Sequence, residues 1–119
     1  ECWYRNNEGE LCDCHGPAGC RKSYDGLGRA IEVVNFGRDG NVMNIGHDIV
    51  CPLTGKLFSI IGEKKRVSYD DQGGWVEDYI GRKGSVMGGD KGRISYSSVG
   101  KMNSVEILNA QDELVDGTL

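Results

Sequence analysis

From Tyr24 to Leu108 the chain reads as short runs of apolar and polar residues in alternation, punctuated by glycine. Seven segments close on a glycine four positions after their first residue: Tyr24 to Gly28, Phe36 to Gly40, Cys51 to Gly55, Tyr69 to Gly73, Ile80 to Gly84, Gly88 to Gly92 and Tyr96 to Gly100. In most copies a polar and then an aliphatic residue follow, as in Arg29-Ala30, Asn41-Val42, Lys56-Leu57, Ser85-Val86, Arg93-Ile94 and Lys101-Met102. A type I turn in a short hairpin loop is followed by a residue at positive φ, where glycine fits without strain. Aspartate at Asp25 and Asp70 suits the first turn position, because its carboxylate accepts amide hydrogens two residues on. The polar-aliphatic pair then sets out-in alternation on the returning strand. Strands are predicted over 29–36, 42–45, 57–61, 65–69, 75–80, 85–87, 93–97 and 104–108. Turns this tight join antiparallel neighbours, so the expected fold is all-β, an antiparallel meander of about seven to nine short hairpin-linked strands. Only 109–114 has a composition that favours a short helix, with a further helical turn expected around 18–22.

A longer echo overlies the turns. Phe36-Gly37-Arg38-Asp39-Gly40-Asn41-Val42-Met43 matches Ile80-Gly81-Arg82-Lys83-Gly84-Ser85-Val86-Met87 at a spacing of 44, and Gly55-Lys56-Leu57-Phe58-Ser59-Ile60 matches Gly100-Lys101-Met102-Asn103-Ser104-Val105 at 45. Two related halves, 28–72 and 73–112, are expected. At 119 residues the chain reads as one domain: a Cys-rich head (1–23), the hairpin repeats (24–108) and a C-terminal tail (109–119).

The Tyr-Asp-X-X-Gly copies at Tyr24 and Tyr69, with the Tyr-Ser variant at Tyr96, resemble the YD (RHS) repeats of large secreted and cell-surface proteins. Those families wind long strand spirals around a cavity, which a chain of 119 residues is too short to do. The resemblance implies the hairpin chemistry and a leaning toward carbohydrate or surface binding. Trp75-X3-Tyr79-X-Gly81 and the segment from Lys101 to Ile107 are also similar to βγ-crystallin Greek keys, which would imply calcium binding. That family's paired acidic and serine ligands are not cleanly matched. The Cys-X-Cys head on a small acidic chain resembles fungal secreted effectors and killer toxins.

Cysteine usage sharpens the picture of the head. Cys2, Cys12, Cys14, Cys20 and Cys51 all lie in the first 51 residues. Such density in a short domain reads as a disulfide-stapled, secreted protein, and a start at Glu1 reads as a mature form whose leader has been removed. A Cys12–Cys14 bond would be strained, so each is expected to pair elsewhere, with Cys51 tying the head to the sheet. The odd cysteine leaves a thiol, an intermolecular bond or a partner elsewhere. Cys12, Cys14, His15 and Cys20 offer enough ligands for a tetrahedral zinc, though not at knuckle spacing.

Net charge is -4, which argues against nucleic acid as the main partner. Basic residues at Lys64-Lys65-Arg66, Arg82-Lys83 and Lys91-Arg93 are expected to guard an exposed strand edge. No apolar segment approaches the ~20 residues needed to span a bilayer, so membrane insertion is not expected. No nucleophile signature accompanies His15 or His47-Asp48, and no P-loop, EF-hand or dinucleotide fingerprint occurs, so no catalytic residue and no cofactor are expected. Asp70-Asp71 is read as turn chemistry, and Glu77 as facing outward against Trp75 and Tyr79. If Trp75 and Tyr79 share a face, they offer a platform for a sugar ring; Tyr69, His47 and Asp48 complete the candidate binding residues. The chain thus reads as a secreted, non-enzymatic binding module, effector- or toxin-like, whose partner is a carbohydrate or a surface protein of another organism. The alternatives are a small α/β killer-toxin or effector fold with the head forming a helix against the sheet, a small secreted hydrolase or nuclease, and a βγ-crystallin-like calcium-binding protein.

Overall fold

The computed structural model describes residues 2–3, 18–51, 54–81 and 89–118. Five hairpin turns in it share one hydrogen-bond pattern, beginning at Asp25, Gly37, Asp70, Ser97 and Asn109. In each, the amide of the fourth residue donates to the carbonyl of the first, and the first amide donates to the carbonyl of the fifth; at Asp25 these bonds measure 3.1 and 2.9 Å. The fourth residue takes φ of 80° at Gly28, 83° at Gly40, 87° at Gly73 and 82° at Gly100. In the fifth turn that place is held by Asp112, at φ 62°. Asn109 Oδ1 accepts the amides of Gln111 and Glu113, both at 2.9 Å. Asp70 Oδ1 does the same for Gln72 and Gly74. The helix expected over 109–114 is therefore a hairpin turn: the asparagine side chain fixes its first half, and aspartate tolerates the left-handed position.

Among the described residues there are eleven strands and no helix: β1 (Cys2–Trp3), β2 (Gly19–Tyr24), β3 (Ala30–Phe36), β4 (Val42–Met43), β5 (Ile45–Val50), β6 (Leu57–Gly62), β7 (Lys64–Tyr69), β8 (Trp75–Ile80), β9 (Lys91–Tyr96), β10 (Met102–Leu108) and β11 (Leu114–Thr118). The main sheet runs β1-β2-β3-β7-β8-β9-β10-β11, with β4 also paired to β3; β5 and β6 form a separate hairpin. All pairings are antiparallel, so the all-β meander stands. Residues 18–22, expected to be helical, lie largely in β2, where pairing with β3 outweighs local preference. Gly92 closes no turn; it sits inside β9 between Tyr79 and Ile107. The strand expected over 85–87 and the turn closing at Gly84 lie outside the described residues.

Alternation sorts the central strands into two faces. One face carries Tyr79, Ile94, Val105 and Ile107, and the β5–β6 hairpin folds down onto it with Phe58 and Ile60. Cys51 joins this cluster, buried among Phe58, Ile60 and Tyr79. Where the hairpin passes back into the sheet, a Cβ at Gly62 would lie 2.7 Å from both the amide nitrogen and the carbonyl oxygen of Ile80. The crossing requires glycine there. The internal echo falls on strands with different places in the fold, and its copy over 82–87 lies outside the described residues. β5 and β6 stand about 45 residues before β9 and β10, but the earlier pair lies on the sheet's face while the later pair lies within it.

The opposite face is charged and ordered. Glu32, Arg66, Asp78, Arg93 and Glu106 are successive register partners across β3, β7, β8, β9 and β10, with sign alternating at every step. Arg93 grips Asp78 with two bonds, at 2.7 and 3.1 Å. Lys64 and Arg66 both reach Glu32, at 3.4 and 3.3 Å. β7 lies between β3 and β8, so its basic residues are not an edge guard: Lys64 and Arg66 belong to a cross-strand charge row, while Lys65 faces the other way.

Candidate functional site

The hairpin covers the inner face over β8, β9 and β10 and leaves it open over β3 and β7. A groove of about 330 Å³ remains there. Its floor is apolar, from Ala30, Val33 and Val67, and its walls are Tyr69 and Trp75. Two charged side chains, Lys65 and Glu77, also line it.

Strand register builds the aromatic wall. Tyr69 pairs with Trp75 and Trp75 with Tyr96, giving one aromatic row across three strands. Trp75 and Tyr96 stack at 5.0 Å between ring centres with 19° between their planes. The Arg29 guanidinium lies 4.3 Å from the centre of the Tyr69 ring, held by a 2.8 Å bond to Asp25. The Tyr69 hydroxyl donates to the Ala30 carbonyl at 2.8 Å. One face of Trp75 is thus occupied by Tyr96, and part of the indole lines the groove.

Glu77 sits between Trp75 and Tyr79 on β8, and at that spacing all three project to the same face. The Trp75 indole Nε1–H donates to Glu77 Oε2 at 3.1 Å, and the Tyr79 hydroxyl donates to Glu77 Oε1 at 2.6 Å. Glu77 is therefore not outward-facing; strand parity places it with its two aromatic neighbours. Burial pushes the Tyr79 phenol well above the ordinary tyrosine range, and the adjoining Glu77 carboxylate adds to the effect. Tyr96 is raised by the same two causes in the same order. A carboxylate gripped by two donors is held in one orientation, with lone pairs left for a ligand.

Of the expected binding residues, Trp75 and Tyr69 come together on the groove. Tyr79 does share their face, but it is only 1 % exposed and belongs to the core, so it positions Glu77 and forms no platform. Asp48 is exposed on the outer side of the hairpin, opposite Ser59. His47 pairs with Ile60 through the backbone; its side chain lies outside the described residues, as do Cys12, Cys14 and His15. Cys2 and Cys20 are direct register partners on β1 and β2. Lys65, Glu77 and Tyr96 were not singled out by sequence as binding residues. The even spacing of residues 75, 77 and 79 was the available signal for Glu77. Lys65 and Tyr96 needed the strand order. Comparison with known proteins finds no match: no family model, no curated protein and no solved structure resembles the chain.

Proposed function

We propose that the protein is a secreted binding module that takes a carbohydrate in the groove over β3, β7 and β8. The observation that carries this reading is the Tyr69–Trp75–Tyr96 row with the Glu77 carboxylate fixed at its foot. Pyranose rings present C–H faces that pack on indole and phenol rings, and their hydroxyls need oriented acceptors. The groove supplies both, on central strands that hold them rigid. Glycoside hydrolysis calls for two carboxyl groups across the scissile bond, whereas this groove is lined by one, already committed to Trp75 and Tyr79. Binding is the better use of that geometry. Secretion is supported by Cys2 and Cys20, since direct antiparallel partners stand ~4.5–5.5 Å apart at Cα, within the range a disulfide spans. An effector- or toxin-like role at the surface of another organism fits such a module.

The test is a glycan array probed with the intact protein and with Trp75→Ala, each first shown by thermal melting to be folded. Binding to a saccharide class that the variant loses at least tenfold supports the reading. Silence across the array, or binding that Trp75→Ala leaves intact, contradicts it.

A further inference from the structure

We infer that the groove selects an acidic saccharide, whose carboxylate pairs with Lys65; this rests on the carbohydrate reading above. Lys65 differs from the other cations of β7 and β9. Among the described residues Lys64, Arg66, Lys91 and Arg93 each have a carboxylate partner on the charged face. Lys65 points the other way, into the groove, and has none. Its register partners are Val33 and Tyr79, both without charge, and Glu77, diagonally across on β8, makes no ion pair with it and is bound instead to Trp75 and Tyr79. Inward-pointing lysines can guard edge strands, but β7 lies inside the sheet, where that purpose lapses. A half-buried ammonium beside apolar partners costs stability unless something compensates it. A ligand carboxylate would do so.

The spacing also sets a ligand size. Lys65 is four residues along β7 from Tyr69, whose partner is Trp75. At ~3.3 Å per residue, Lys65 lies about 13 Å along the strand from the aromatic row. With the lysine side chain reaching back, that interval suits a saccharide of two or more rings, one against Trp75 and another bearing the carboxylate. Glu77, between the two ends, keeps lone pairs for hydroxyls along the way and repels a carboxylate placed on the ring nearest Trp75. The acid is therefore expected on the ring distal to the indole.

Isothermal titration with uronate trisaccharides and their neutral counterparts tests this, using the intact protein, Lys65→Met and Trp75→Ala. Methionine keeps the apolar stem of the lysine, so the fold is preserved. The expected result is at least tenfold tighter binding of a uronate trimer than of its neutral counterpart. Lys65→Met should bring the affinities for the acidic and neutral trimers together, and added salt should reduce the preference of the intact protein. Equal binding of acidic and neutral trimers by the intact protein, or a preference that survives Lys65→Met, overturns the acidic selection and leaves the saccharide reading standing. If no trimer of either kind binds, both readings fall.

Discussion

Single residues set this fold by two different physical routes, and two glycines separate them. Gly100 sits at φ 82° with its nearest non-neighbouring atom, on Trp75, 3.8 Å from where a Cβ would stand. Gly100→Ala therefore tests backbone strain alone and should cost about 1–2 kcal/mol in urea denaturation. Gly62 is required by the close approach to Ile80. Gly62→Ala forces two backbone segments apart and should cost about 2–3 kcal/mol, the larger of the two. At the site, Tyr79 links stability to pH. Its phenol is raised above the ordinary value of 10.0 by burial first and by Glu77 second. A raised acid contributes its stability fully below the unfolded value and loses it as pH climbs beyond. Chemical denaturation should accordingly show stability falling from about pH 10 upward, with tyrosinate absorbance from Tyr79 delayed to higher pH. Tyr79→Phe should flatten that alkaline decline and cost about 1–2 kcal/mol at neutral pH, because Glu77 loses a donor.

Elements show where sequence pattern was sufficient and where it was not. Glycine at the positive-φ position made the turns at Gly28, Gly40, Gly73 and Gly100 legible, because the backbone demand and the residue coincide. The turn at 109–113 was not legible, since Asp112 meets the same demand without glycine and the surrounding Ala-Gln-Asp-Glu favours helix. Gly92 misled in the opposite sense: its spacing suits a turn, yet its partners are strand residues. Strand order was a different kind of information. Nothing local says that β7 pairs with β3 across an intervening hairpin, so Lys64, Lys65 and Arg66 read as an edge and Lys65 escaped notice as a site residue. The charge row gives this order a test. Asp78→Lys would set three cations side by side, between Arg66 and Arg93. Cross-strand like-charge pairs should cost about 1–2 kcal/mol in total, with part of the loss recovered at 1 M salt.

The whole molecule is a meander whose middle hairpin has been laid over its own sheet. That arrangement makes the core from Phe58, Ile60, Tyr79 and Ile94, and it leaves the open strip of inner face that becomes the groove. Core and groove meet at Glu77, bound by the buried Tyr79 on one side and the groove-lining Trp75 on the other. A module built this way carries its aromatic wall at the strand ends, where Tyr69 and Trp75 flank the Asp70 turn and Tyr96 leads into the Ser97 turn. The central claim is that this wall is where a saccharide sits. Nuclear magnetic resonance titration of the ¹⁵N-labelled protein with the tightest oligosaccharide from the array tests it most directly. The account predicts that the Trp75 indole Nε1–H signal and the amides of Lys65, Val67 and Tyr69 shift together and saturate, while those of Asp48 and Leu57 on the hairpin's outer side stay in place. Saturating shifts confined to the hairpin or to the charged face, with the Trp75 indole unmoved, would contradict it.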